Sequence, residues 1–263
     1  MAEDRVDVIM RTKNSAEMLK QSLDSIFQEI PVRKVIIVDG GSTDDTIKIA
    51  SQYENVEIYQ KPELNLGQAT QFGFKVAKTE WIAVIDSDII LKNGWYSQMS
   101  QYMNEFDAVE GSRIDYYRIK WIEDLTKVKH GVFGQTLIRR KHLLNLNLDL
   151  PQGEDAATKY HFDQNGLRWK KVPNYLAEHH PFETSITHKR TGTIISITPR
   201  YIPKKQQIEQ GHLYRKYKML TFKEVLWKTF IRSIAKEAYV AFRIRIWFVL
   251  AYLGLIRIKM GHG

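Results

Sequence analysis

Two uninterrupted apolar runs, Val35-Ile36-Ile37-Val38 and Trp81-Ile82-Ala83-Val84-Ile85, each end on an aspartate, Asp39 and Asp86. Four or five apolar residues without polar alternation suit a strand buried on both faces, as in a parallel sheet covered by helices. The flanking sequence agrees. Residues 6–10 form a short β-rich run, and residues 16–29 read as a helix that Asn14 or Ser15 can cap and Pro31 ends. Gly40 to Thr43 make a turn, after which Asp44 and Asp45 favour a helix reaching about Tyr53. Residues 56–59 read as a third strand and 67–78 as a third helix. Strands alternating with helices make βαβ units and an α/β fold. In such sheets the ligand lies at the carboxyl ends of the strands, which makes Asp39 and Asp86 the first site candidates. Beyond Asp107 the pattern becomes less regular, and Pro199 and Pro203 mark a linker.

Length and composition bound this reading without deciding it. The 263 residues suit one large α/β domain, or one of about 200 residues with an appendage. With 43% hydrophobic and 26% charged residues, a disordered chain is excluded. The absence of cysteine excludes a disulfide scaffold, a Cys-ligated zinc or iron–sulfur site and thiol catalysis, and it fits a cytoplasmic setting. The formal charge of +9 is unevenly placed. Residues 200–263 hold 14 Lys and Arg against 3 Asp and Glu, a net +11, whereas residues 1–199 stand at −2.

The basic excess therefore belongs to a C-terminal segment. Lys228, Arg232 and Lys236 recur every four residues, with Leu226, Phe230, Ile231, Ile234, Ala238 and Phe242 on other faces, as in an amphipathic helix. An apolar run of 11 residues from Ile246 to Ile256 follows, including Trp247 and Phe248 and flanked by Arg243, Arg245, Arg257 and Lys259. About 20 residues are needed to cross a bilayer, so this segment is expected to lie on an anionic membrane surface, with Lys228, Arg232, Trp247 and Phe248 as contacts. Packing on the α/β domain, or a dimer contact, remains the alternative. His212, Tyr214, Arg215, Lys216, Tyr217 and Lys218 could contact nucleic acid, but the apolar run beyond them favours lipid phosphates, and no nucleic-acid partner is expected. No signal-peptide core is visible at the N-terminus, and no G-x-G-x-x-G follows the first strand, which disfavours a dehydrogenase.

Asp86-Ser87-Asp88 follows its apolar run directly. Two carboxylates one residue apart at a strand end can reach one hard divalent cation, although alone such a pair also suits a solvated turn. With its neighbours the motif says more. Arg11-Thr12-Lys13-Asn14, then Asp39-Gly40-Gly41-Ser42-Thr43-Asp44-Asp45-Thr46, Asn65-Leu66-Gly67 and Asp86-Ser87-Asp88 resemble, in order and spacing, the inverting family 2 glycosyltransferases of the GT-A fold. The likeness continues through Gly153-Glu154-Asp155, Gly166, Pro173 and His179, over about residues 5–190.

The resemblance implies a GT-A catalytic domain over 1–199, with a mostly parallel central sheet flanked by helices. Its nucleotide-sugar-binding half would be 1–106 and its acceptor half 107–199, followed by a basic linker at 200–221 and amphipathic membrane-interface helices at 222–263. It implies that Asp39 meets the nucleobase, that Thr12 and Asn14 line the nucleoside pocket with Gly67 beside them, and that Asp86 contacts the ribose or the metal. Asp88 and His179 would ligate Mn2+ or Mg2+, with His180 adjacent as a competing reading. Glu154-Asp155 would be the acid pair with Asp155 as general base; ordinary acids at a helix N-terminus are the plain alternative. The chain also departs from the pattern. His161 stands where an Arg often follows the acid pair, and Thr70-Gln71 replaces a common Arg-Asn.

A phosphate oxygen is already ionised and needs no base, so the acid pair favours a sugar hydroxyl as acceptor over a polyprenyl phosphate. The expectation is a metal-dependent inverting transferase, peripheral or monotopic at the cytoplasmic face of the cell membrane. It would use a UDP- or GDP-sugar donor and a lipid-linked glycan acceptor. A non-catalytic basic binding protein is the contrasting class.

Overall fold

The computed structural model describes residues 5–115, 133–151, 153–180, 184–187 and 194–197. The chain divides into two compact units, Met1–Pro181 and Phe182–Gly263, where the sequence suggests a boundary at 199. In the first unit the elements run β1 (Val6–Thr12), α1 (Ala16–Glu29), β2 (Val32–Asp39), α2 (Thr46–Ala50), β3 (Val56–Gln60), α3 (Leu66–Val76), β4 (Trp81–Ile85) and β5 (Ile89–Leu91). They continue with α4 (Trp95–Ser100), β6 (Ala108–Asp115), β7 (Gln135–Arg139), a single 3-10 turn at Arg140–His142, α5 (Glu154–Gln164) and β8 (Trp169–His179).

One sheet takes the order β3-β2-β1-β4-β7-β6-β8-β5. Its first half is the parallel βαβ array read from the sequence, with β1 parallel to both β2 and β4 and β2 parallel to β3. Val35, Ile36, Ile37 and residues 82–85 are fully buried, as strands covered on both faces require. α1 buries Leu19, Leu23 and Ile26 against it. α3 approaches β1 closely, since a Cβ on Gly73 would stand 2.5 Å from Ile9 Cγ2. The second half is mixed: β7 is antiparallel to β4 and β6, β6 is parallel to β8, and β5 returns antiparallel on β8.

α1 also fixes the turn between β4 and β5. The Ser22 hydroxyl donates to the Asp86 carbonyl at 3.4 Å, Leu91 N–H donates to Ser25 Oγ at 3.0 Å, and Ser87 and Ser15 share a hydroxyl bond of 2.9 Å. Three serines of one helix region thus hold the segment that carries Asp86 and Asp88. In the second unit, β9 (Thr184–Thr187) and β10 (Ile194–Ile197) pair antiparallel.

Candidate active site

The loops after β1 and β2 are built into each other. The buried Asp39 carboxylate accepts the Thr12 hydroxyl at 2.8 Å, the N–H groups of Gly41 and Ser42 at 2.9 and 2.8 Å, and the Ser42 hydroxyl. Burial opposes its ionisation, but these bonds outweigh it and hold the carboxyl below the usual range. All of its acceptor positions are occupied, so the expected contact with a nucleobase requires one donor to leave. The Thr12 and Ser42 hydroxyls, unlike the two backbone N–H groups, can rotate away. Asn14 adopts the left-handed conformation at φ 52°. Its side-chain carbonyl accepts Thr43 N–H at 2.8 Å, and its own N–H donates to Ser42 Oγ at 2.9 Å. Asp44 does two jobs, accepting Ala16 N–H at 3.0 Å at the start of α1 and Thr46 N–H at 3.1 Å at the start of α2. Thr12 is buried, whereas Lys13, Asn14 and Thr43 remain exposed on the rim.

At the carboxyl end of β4, Asp86 is bonded by Arg11 from the corresponding end of β1. The other arm of the same guanidinium bonds Glu154, and it donates to Thr70 Oγ1 at 3.1 Å. Burial works against ionising Asp86, but Arg11, Arg113 and His179 prevail and keep it an anion. A Cβ on Gly134 would fall 2.6 Å from Arg113 Nη1 and 2.8 Å from Asp86 Oδ2, so a larger residue there would have to push these two side-chain ends aside. Glu154 and Asp155 open α5 behind Gly153, whose φ of 82° explains the glycine. Burial, and then the charge of Glu154, push Asp155 up to about 7, while the Ala156 N–H and Arg11 oppose the rise.

The two histidines separate cleanly. His179 Nε2 lies 3.1 Å from Asp88 Oδ2, whereas His180 turns to Glu178, 3.2 Å away. The ladder sets this arrangement, because Ile89 pairs with His179 and His180 N–H donates to the Asp88 carbonyl at 2.9 Å. Cis ligands on a cation with bonds of about 2.1 Å stand about 3.0 Å apart, so Asp88 and His179 fit two neighbouring positions of one hard divalent ion. Among the described residues no third His, Asp or Glu joins them. Asp86, expected as a metal ligand or a ribose contact, is bonded by Arg11 through one of its two carboxylate oxygens.

Glycosyl transferase family 2 matches residues 7–153, more than half of the chain. The chain belongs to that family. Curated relatives include an uncharacterized glycosyltransferase of Mycoplasma genitalium, 28% identical over 47% of this chain and 45% of its own length. Another is the poly(ribitol-phosphate) beta-N-acetylglucosaminyltransferase TarP of Staphylococcus aureus, 27% identical over 38% of this chain and 33% of its own. The chain spans about half or less of the length of the curated relatives it matches. Among solved structures, residues 1–349 of S. aureus TarS in complex with UDP-GlcNAc superpose with a TM-score of 0.59 at 16% identity, covering 96% of this chain and 74% of that one. The mannosyltransferase PcManGT of Pyrobaculum calidifontis, in complex with GDP-Man and Mn2+, gives 0.57 at 17%, covering 97% and 76%. At these identities the likeness is one of fold, the GT-A α/β fold.

The departures from the family 2 pattern have local explanations. Thr70 accepts from Arg11, and Gln71 donates to the Leu146 carbonyl. His161 lies seven residues along α5 from Glu154, about 10 Å away, where it meets Phe162 and Asn165. Gly166, at φ 64°, ends α5 with Leu167 N–H donating to Phe162 O at 3.0 Å, a helix-stop geometry that favours glycine. Gly67 donates its N–H to Leu150 O at 2.9 Å, and a Cβ there would fall 2.1 Å from Leu148 O. This close approach to the strap leading into the acid pair gives that glycine a packing role. Gly67→Ala is expected to lower stability by about 1–3 kcal/mol in urea unfolding, because backbone rather than a flexible side chain must move. Arg11, Arg113, Thr70 and Gly134 were not among the sequence candidates. Arg11 could have been found by the rule that picked Asp39 and Asp86, since it too stands at the carboxyl end of a buried strand.

Proposed function

We propose that this protein transfers a sugar, with inversion, from a UDP- or GDP-linked donor to a hydroxyl of a lipid-linked glycan. The observation that carries the proposal is the meeting of Asp86, at the end of β4, with the acid pair at the start of α5. A donor site at the strand ends and a base then lie side by side. Complexes of similar folds with UDP-GlcNAc and with GDP-Man support a nucleotide-sugar donor.

Asp155 takes the proton. A sugar hydroxyl ionises far above neutral pH, so a carboxylate must accept its proton as the oxygen attacks the anomeric carbon. The new carbon–oxygen bond forms as the bond to the diphosphate breaks, and its electron pair leaves with the diphosphate. Attack from the opposite face turns an α-linked donor into a β-linked product. Asp88 and His179 would hold Mn2+ or Mg2+, which when bound supplies positive charge to the departing diphosphate. Asp88→Asn and His179→Ala should each raise the Mn2+ concentration for half-maximal rate at least about tenfold, read by titrating metal into chelator-treated enzyme.

The +11 tail supports a membrane-surface location at the cytoplasmic face, although Lys228, Arg232, Trp247 and Phe248 lie outside the described residues. No helix among the described residues is long and apolar enough to cross a membrane. Transfer to a polyprenyl phosphate is the second reading, and the base distinguishes the two, since only a hydroxyl needs Asp155. A panel of sugar nucleotides assayed for hydrolysis and transfer with Mn2+ and with Mg2+ tests the whole. No turnover with any donor overturns it.

A further inference from the structure

We propose that Arg11 is a positioning residue of the transfer reaction, joining Asp86 to Glu154 and so fixing the acid pair against the donor side of the site. The proposal rests on the glycosyltransferase reading above. Arg11 touches neither the base nor the metal pair in that mechanism, yet four elements meet on its guanidinium. It stems from β1, where it pairs with Val38 of β2, and its side chain is only 9% exposed. From there it reaches Asp86 after β4, Glu154 at the start of α5 and Thr70 within α3. The Thr70 hydroxyl is itself oriented, donating to Leu66 O at 2.8 Å and presenting its lone pair to Arg11.

The burial of Glu154 makes the bridge necessary. Its side chain is 6% exposed, and an ionised carboxylate withdrawn from water that far requires a partner. Without Arg11, Glu154 would turn toward solvent. Asp155, its neighbour in the first turn of α5, would then be carried away from the acceptor. The bridge needs a planar fork, because two carboxylates and a hydroxyl are held at set angles from one group. A lysine ammonium keeps the charge but holds no such geometry.

Arg11→Met and Arg11→Lys test this through three measurements: calorimetric binding of UDP and GDP, steady-state transfer, and amide hydrogen exchange across residues 153–157. In Arg11→Met, exchange at 153–157 should rise at least about tenfold and kcat should fall about 100-fold, the cost of a misplacement of roughly 1 Å. Nucleotide affinity and donor KM should stay within about threefold of the parent. Arg11→Lys, the milder variant if Arg11→Met fails to fold, should regain part of kcat and part of the exchange protection. Unchanged exchange or unchanged kcat overturns the proposal. So does nucleotide affinity falling in step with kcat, which would make Arg11 a donor ligand. A parent chain inactive with every sugar nucleotide, while Arg11→Met still loosens 153–157, would overturn the transferase reading and leave the bridge standing as a structural one.

Discussion

Asp155→Asn is expected to reduce kcat for transfer to a hydroxyl acceptor by about a thousandfold, within the range general-base removal costs. Nucleoside diphosphate binding, measured by calorimetry, should be unchanged, because Asp155 sits on α5 while the donor loops follow β1 and β2. An isosteric amide keeps the volume and can still accept the Ala156 N–H that Asp155 now accepts at 2.7 Å. Any loss is then one of proton acceptance. Turnover retained with a sugar acceptor would sink the role of Asp155, and turnover retained only with a lipid phosphate would favour the second reading.

The same group sets a pH dependence. Burial and Glu154 push Asp155 up to about 7, and a base must be deprotonated, so kcat/KM should climb through neutrality and level off above it. At pH 6 the rate should be about a tenth of the plateau. An ordinary aspartate would give a flat profile over that range. Stability carries the opposite sign. Between the usual carboxylate range and about 7 the folded chain keeps a proton that the unfolded chain has lost, so unfolding free energy falls as pH rises across that window. Asp155→Asn lacks this penalty and should be more stable than the parent at pH 8, by up to a few kcal/mol. Equal stability at pH 8 would return the group to its ordinary range.

The βαβ half of the fold is legible in the sequence because its strands are buried on both faces and therefore apolar throughout. The other half is not, because its strands carry polar residues whose partners are remote in sequence. Glu110 in β6 is buried, with Trp169 Nε1–H donating to it at 3.0 Å and Lys171 at 3.3 Å. Gln135 and Thr136 in β7 are buried as well. Period and hydropathy do not reveal which polar residues are buried, so the stretch beyond Asp107 looks irregular.

The site divides along the same line. Asp86, Asp88, Glu154 and Asp155 are readable because each stands at the end of a strand or the start of a helix. Choosing His179 over His180 takes strand register, which only pairing with β5 reveals. Asp39, Thr12 and Gly67 stand at motif positions, and each also builds a turn or admits a close approach. Motif position alone cannot separate a residue that holds a loop from one that touches what the loop holds.

Asp7→Ala is expected to cost about 3–5 kcal/mol of stability, the largest effect foreseen outside the site. Asp7 lies near the amino-terminal end of β1, between Lys34 of β2 and Ile82 of β4, and has no exposed surface. Arg33 Nε lies 2.7 Å from one carboxylate oxygen as an ion pair without a hydrogen bond, and Nη2 donates to the other at 2.8 Å. The second oxygen also accepts the N–H groups of Lys78 and Thr79 at 2.6 and 3.3 Å, and Thr79 Oγ1 accepts the Asp7 N–H at 2.9 Å. One carboxylate therefore ties β2 and the turn from α3 into β4 to the centre of the sheet. Alanine would leave two backbone donors without their acceptor, each costing about 1–3 kcal/mol, while Arg33, partly exposed, can turn to water at little cost. Asp7→Asn, which keeps an acceptor but loses the charge, should cost clearly less. Urea unfolding with an unchanged m-value separates these effects, and a loss below about 1 kcal/mol in Asp7→Ala would show that the turn holds without its carboxylate. Transfer activity in the folded fraction should survive, because Asp7 lies at the amino-terminal end of β1 and the site lies at the other.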